Sequence, residues 1–124
     1  MDKILLVEDD PFLSSLLKNR LQKEDLEVVL AKDGEEALNR LREFSPALIL
    51  LDLILPKKTG FEVMEEMASD PQINKGMPII VISNLGQPED VAKSKQLGAI
   101  EYFIKAKISI DELIGKIKTF LKKP

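Results

Sequence analysis

The sequence predicts a doubly wound α/β domain, a parallel sheet covered by helices on both faces. Three observations carry that prediction. Four segments, at residues 4–7, 48–51, 79–82 and 102–104, are continuous apolar runs rather than alternations, the pattern of strands buried on both faces. Amphipathic helical periods lie between them. Strand and helix therefore alternate along the chain, and because strand-helix-strand crossovers are right-handed almost without exception, a parallel sheet between two helical layers results.

The first run, Ile4-Leu5-Leu6-Val7, leads into Glu8-Asp9-Asp10. Asp10 before Pro11 marks a helix start, with an N-cap acid and proline at the first helical position, and Leu13, Leu16, Leu17 and Leu21 then recur on one face. Glu27-Val28-Val29-Leu30-Ala31 is a lighter fifth strand, expected at a sheet edge. Asp33 can cap the second helix, with Glu36 three residues on, and Ala37, Leu38, Leu41 and Phe44 form its inward face. The run at 48–51 ends in Asp52; Phe61, Met64 and Met67 mark a third helix, stopped by Ser69-Asp70-Pro71. After the run at 79–82 come Ser83-Asn84 and a fourth helix over about 88–97, with the thinnest apolar face, Val91, Ala92 and Leu97 among lysines, ended by Gly98. Tyr102-Phe103-Ile104 leads to Lys105, and a last helix over 109–121 turns Ile110, Leu113, Ile114, Ile117 and Leu121 inward.

Composition sets limits on the chemistry. The 124 residues hold 18 basic and 21 acidic side chains, a net charge of -3, and no His, Cys or Trp. Disulfides, thiol nucleophiles, Cys/His metal sites and imidazole catalysis are excluded, so any metal must be held by oxygen. With 44% hydrophobic and 31% charged residues, one globular domain over 1–124 is expected, with no linker leading to an output domain. No apolar run is long enough to span a bilayer, and the N-terminus lacks a secretory pattern, so neither membrane insertion nor export is expected and a cytoplasmic location is the plain reading. Residues 1–100 carry a charge of -6 and 101–124 a charge of +3. Lysines spaced along a terminal helix are ordinarily its solvated face, so direct nucleic-acid binding is not expected.

In an open α/β sheet the ligand site lies beyond the carboxyl ends of the strands, where strand order reverses. There the sequence places Glu8, Asp9 and Asp10, then Asp52, Ser83 and Lys105. Singly, each has an ordinary explanation: Asp10 as a helix cap, Glu8 and Asp9 as a solvated turn, Asp52 and Ser83 as turn formers, Lys105 as an exposed charge. Their joint placement at successive strand ends shifts the balance. Converging carboxylates repel unless a cation sits among them, and oxygen-only ligands favour Mg²⁺, which completes its shell with waters and a phosphoryl oxygen. A carboxylate beside Mg²⁺ and a lysine can attack phosphorus.

With these residues in view the chain resembles the receiver domain of two-component response regulators, over nearly its whole length and in extent like the stand-alone chemotaxis type. The motifs are ILLVEDD at the first strand, LILLDLILPKKTG around Asp52, PIIVISN at the fourth strand and GAIEYFIK at the fifth. The resemblance implies a flavodoxin-like sheet in the order 2-1-3-4-5 with five helices. It implies Asp52 as phosphoacceptor, and Mg²⁺ held by Asp9, Asp52, Glu8 through water and the backbone carbonyl of Ile54. Lys105 would pair with the phosphoryl group, Ser83 would be the switch hydroxyl and Tyr102 the aromatic that follows it. On this reading the chain is a signalling module rather than an enzyme with a separate substrate. Its partners would be a sensor histidine kinase or phosphotransfer protein, and a downstream protein reading the face of the fourth helix, fifth strand and fifth helix, which carries Lys93, Lys95, Lys107 and Lys116.

Two positions depart from the family pattern. Asn84 stands where a small residue usually follows the switch hydroxyl, and Ala106 where proline usually follows the lysine. A trans peptide, and so a differently shaped loop, is expected after Lys105, since cis bonds belong essentially to proline. Ile54 and Leu85, apolar where polar side chains often tune hydrolysis in this family, imply a long-lived phosphoryl state. Asn84 and Ala106 keep open a second reading, a phosphorylation-independent adaptor. A metal-dependent phosphatase fits less well, because its second acid is absent at Ile54.

Overall fold

The computed structural model describes residues 2–121. Its elements are β1 (Lys3–Val7), α1 (Pro11–Gln22), β2 (Glu27–Ala31), α2 (Gly34–Glu43), β3 (Leu48–Leu51), α3 (Gly60–Ser69), β4 (Ile79–Ser83), α4 (Pro88–Gln96), β5 (Ala99–Ile104) and α5 (Ile110–Leu121). The five strands are parallel in the order β2-β1-β3-β4-β5, the expected doubly wound, flavodoxin-like sheet with five helices.

Continuous apolar runs become intelligible in this sheet because successive side chains point to opposite faces, and both faces are covered. Leu5, Val7, Ile49, Leu51 and Val81 pack with Ala37, Leu38 and Leu41 of α2 and with Val63 and Met64 of α3. Ile4, Leu6, Leu48, Leu50, Ile80 and Ile82 pack with Leu17 and Leu21 of α1 and with Leu113, Ile114 and Ile117 of α5. Burying each such side chain stabilises by about 1.5–3 kcal/mol before the loss of chain entropy is charged. β2 and β5 are the edges, and both are less completely buried than the three central strands.

The helix starts follow their side-chain chemistry. Asp10 accepts from the Phe12 and Leu13 amides, and Asp33 from the Glu36 amide at 2.8 Å. Thr59 and Glu62 form a reciprocal capping box on α3, and Ser109 and Glu112 do the same at the start of α5. Gln87, before α4, makes no side-chain cap.

Three local expectations change. Leu16 is 45% exposed: Leu17 and Leu21 fix the inward stripe of α1, and a neighbour in sequence lies about 100° round the helix. Ser14 is buried in that stripe instead, its hydroxyl donating to the Pro11 carbonyl at 3.3 Å. β5 begins at Ala99, earlier than its apolar run. Ile79 pairs with Ala99 but Ile80 with Glu101, so Ile100 is an extra, bulged residue, and the bulge with its neighbouring acid conceals the strand from a reading based on apolar runs. Ala92, expected on the apolar face of α4, is exposed.

Candidate functional site

The chain runs outward from β1 to β2 and then back across to β3, so the order reverses between β1 and β3. Both strands end there in acids. The Asp52 amide donates to the Val7 carbonyl at 3.1 Å and the Glu8 amide to the Ala31 carbonyl at 3.0 Å, which fixes both side chains at the sheet edge. Glu8 and Asp52 are each only 3% exposed, whereas Asp9 is exposed. Asp10 turns away to cap α1, and its amide donates to Glu8 Oε2 at 3.1 Å.

Lys105 closes the cluster from the end of β5, in a 3-10 turn over Lys105–Lys107. Its Nζ donates to Asp52 Oδ2 at 2.6 Å and stands 2.8 Å from Glu8 Oε1. That ion pair with Lys105 is the polar partner of the buried Glu8 Oε1, which has no further hydrogen bond among the described residues. Asp52 Oδ1 accepts from the Ile54 amide at 3.1 Å. Peptide bonds among the described residues are all trans, as expected at Ala106, and the altered turn still delivers the ammonium to Asp52.

Burial raises the Glu8 pKa above the ordinary carboxylate value, outweighing the contacts with Lys105 and the Asp10 amide that lower it; the Asp52 charge adds to the rise. Burial pulls Lys105 down, but its contacts with Asp52 and Glu8 outweigh that and raise it. The ammonium is therefore held firmly charged. Glu8, Asp9 and Asp52 each offer a carboxylate oxygen, all within 4.8 Å of one another. Three carboxylates against one ammonium fit a hard divalent cation.

Ser83 is wholly buried. Leu51 pairs with Val81, so β4 continues past the level of Asp52 to reach it. Ser83 Oγ accepts from the Leu85 amide at 3.3 Å, and the half-buried Tyr102 donates its hydroxyl to the Leu85 carbonyl. Among the described residues no hydrogen bond joins Ser83 or Tyr102 to the acids. Asn84 is exposed, and Ile54 stands at the rim with 54% of its surface open.

The family model of the response regulator receiver domain matches residues 4–118. The chain belongs to that family. This receiver domain is 37% identical to the transcriptional regulatory protein CpxR of Escherichia coli K12, covering 99% of the chain and 50% of CpxR. It spans about half the length of the curated relatives it matches. Among solved structures, the BeF3-activated receiver domain of Klebsiella pneumoniae RstA is 29% identical with a TM-score of 0.86, covering 98% of this chain and 100% of that one. The Mn(2+)-bound response regulator Rcp1 is 33% identical with a TM-score of 0.83, covering 97% and 94%. Receiver domains of this kind are signalling modules of two-component systems, and no helix among the described residues is long and apolar enough to cross a membrane.

One part of the receiver site escaped the sequence. Leu85 links Ser83 to Tyr102 through its backbone N–H and C=O, groups every residue carries, so no residue type marks the position.

Proposed function

We propose that this receiver domain takes a phosphoryl group from a phosphohistidine of a sensor histidine kinase or phosphotransfer protein onto Asp52, in a Mg²⁺-dependent reaction in the cytoplasm. One observation carries the reading: the buried Asp52 carboxylate shares the Lys105 ammonium with the buried Glu8, and a third carboxylate, Asp9, has an oxygen within 4.8 Å of theirs. An Asp52 oxygen attacks phosphorus as the bond from phosphorus to the imidazole nitrogen breaks, and since residues 1–124 hold no histidine, the donor lies outside them. Glu8, Asp9, Asp52 and the backbone carbonyl of Ile54 would hold the ion. Bound there, Mg²⁺ supplies positive charge against the phosphoryl oxygens.

Lys105, already on Asp52, pairs with the phosphoryl group once it arrives. Ser83 accepts from Leu85 and keeps its own proton to donate to a phosphoryl oxygen. Movement of Ser83 would pass through Leu85 to Tyr102 and so to the face of α4, β5 and α5, where a downstream protein reads the state. Residues 1–124 act on this reading as one module that catalyses only its own phosphorylation and dephosphorylation. The Mn(2+)-bound Rcp1 and BeF3-activated RstA structures support it by similarity. Transcriptional regulation is named for the relatives, of which the chain spans about half the length, and no nucleic-acid binding is proposed for these residues. The adaptor reading rested on Asn84 and Ala106, and loses support because Lys105 reaches Asp52 at 2.6 Å across the trans turn.

Acetyl phosphate with Mg²⁺ is expected to label the protein, and Asp52→Ala or EDTA to abolish labelling. No uptake by the parent protein favours the adaptor. With Ile54 and Leu85 both apolar two residues beyond Asp52 and Ser83, the label is expected to persist for minutes; its loss within seconds would sink that part of the proposal.

A further inference from the structure

The loop between β3 and α3 carries Ile54, whose carbonyl is among the ligands proposed above, and it is held from beneath by the first residue of α2. A Cβ added at Gly34 would lie 2.3 Å from the Lys58 carbonyl oxygen, 2.5 Å from Lys58 Cβ and 2.9 Å from Lys58 C. Two of those atoms are backbone, so no side-chain rotation relieves the overlap. Gly34 is buried, is not in the left-handed region, and donates its amide to the Pro56 carbonyl at 3.4 Å. What the position requires of glycine is therefore space rather than conformation.

The loop above it is tightly wound. The Lys58 amide also donates to the Pro56 carbonyl, at 2.8 Å, closing a three-residue turn on Lys57, which has φ 68° although it is not glycine. Such turns are strained and persist only where surrounding contacts hold them. Those contacts come from α2: Gly34 against Lys58 and Pro56, and Asp33, whose carboxylate lies 3.8 Å from Lys57 Nζ. At its other end the loop is anchored by the Gly60 amide donating to the Leu53 carbonyl at 2.9 Å.

We infer that Gly34 is a positioning residue for the Mg²⁺ site, seating the β3–α3 loop so that the Ile54 backbone faces the acid cluster. This rests on the Mg²⁺ reading above and goes beyond it, because Gly34 belongs to a different element and touches none of the proposed ligands. Gly34→Ala adds one methyl group to a helix position that alanine otherwise favours. The helix is left intact while the Lys58 carbonyl is pushed away.

Titration of parent, Gly34→Ala and Asp9→Asn proteins with MgCl2 alone, followed by amide NMR of the folded protein, tests this. Gly34→Ala is expected to bind Mg²⁺ about tenfold more weakly, with the apo amide shifts of Ile54 and Lys58 moved and those of Leu5 and Leu6 unchanged. A purely structural role lowers the melting temperature in EDTA while leaving Mg²⁺ affinity within twofold of the parent, and that result overturns the inference alone. If the parent itself shows no Mg²⁺ binding that Asp9→Asn removes, the metal reading falls and takes this inference with it. Should Gly34→Ala not fold, Gly34→Ala/Lys58→Gly, whose loop backbone can turn aside, is expected to fold and still bind at least fivefold more weakly; parental affinity in it refutes the positioning role.

Discussion

Glu8 stands 2.8 Å from an ammonium and is nonetheless harder to ionise than an exposed glutamate, because burial is the larger influence and the Asp52 charge adds to it. The sign of the stability effect follows by linkage. A carboxyl whose folded pKa exceeds its unfolded value binds protons more readily when folded, so stability falls as pH rises from the ordinary value toward the raised one, and remains lost above it. Glu8→Gln removes the charge, and its one carbonyl oxygen can accept from the Asp10 amide or from Lys105 but not from both. In EDTA the stability of the variant relative to the parent is expected to rise as pH climbs from the unperturbed carboxylate value of 4.5. Thermal melts across pH 4 to 8 check this, and a difference that stays flat or moves the other way refutes it. The same residue is a proposed ion ligand, so stability gained this way would be lost as Mg²⁺ affinity.

At the scale of elements, α4 is the least anchored helix. Ser94 is its only fully buried residue, and Gln87 leaves its first turn without a side-chain cap, whereas Asp10, Asp33, Thr59 and Ser109 cap the others. Gln87→Asp places a carboxylate at the N-cap, where it accepts from first-turn amides and meets the helix dipole, for about 1 kcal/mol or roughly 4 °C. Thermal unfolding measures the gain, and slower amide exchange confined to α4 would locate it; unchanged melting counts against the capping argument. The caps at Asp10 and Asp33 and the central strands were legible in the sequence because each depends on a local pattern: an acid before a helical period, or four apolar residues in succession. The start of β5 was not, since its bulge at Ile100 is set by register against Ile79 and Ile80. The outward position of Leu16 was likewise concealed, because α1 chooses its inward stripe by what the sheet offers. At the site, the carboxylates, Ser83 and Lys105 could be placed by counting from strand ends. The backbone link at Leu85 and the space required at Gly34 could not, because neither has a residue-type signature until elements distant in sequence are packed together.

Across the whole molecule, the sheet separates two apolar clusters, and the acid site lies where strands belonging to both come to an end. Glu8 follows β1, Asp52 follows β3 and Lys105 follows β5, so the site exists only when the whole sheet is assembled. Arg20 with Asp111, and Lys118 with Glu24 in the turn after α1, tie that part of the chain to α5, though as exposed pairs they contribute little. A receiver domain of this size unfolds essentially all-or-none, so an ion bound only by the folded state stabilises every element together. At a concentration a hundred times its dissociation constant the gain is about 2.7 kcal/mol, near 10 °C for a chain of this length. Asp9→Asn removes the exposed acid of the three and leaves the buried Glu8, Asp52 and Lys105 contacts in place, so it should fold normally in EDTA and lose most of the Mg²⁺-dependent rise. Melting curves by circular dichroism, with EDTA and with saturating MgCl2, separate the two effects. A parent protein whose melting temperature ignores Mg²⁺ would mean that Lys105 alone balances the cluster; a rise retained in Asp9→Asn would mean that the ion is held elsewhere.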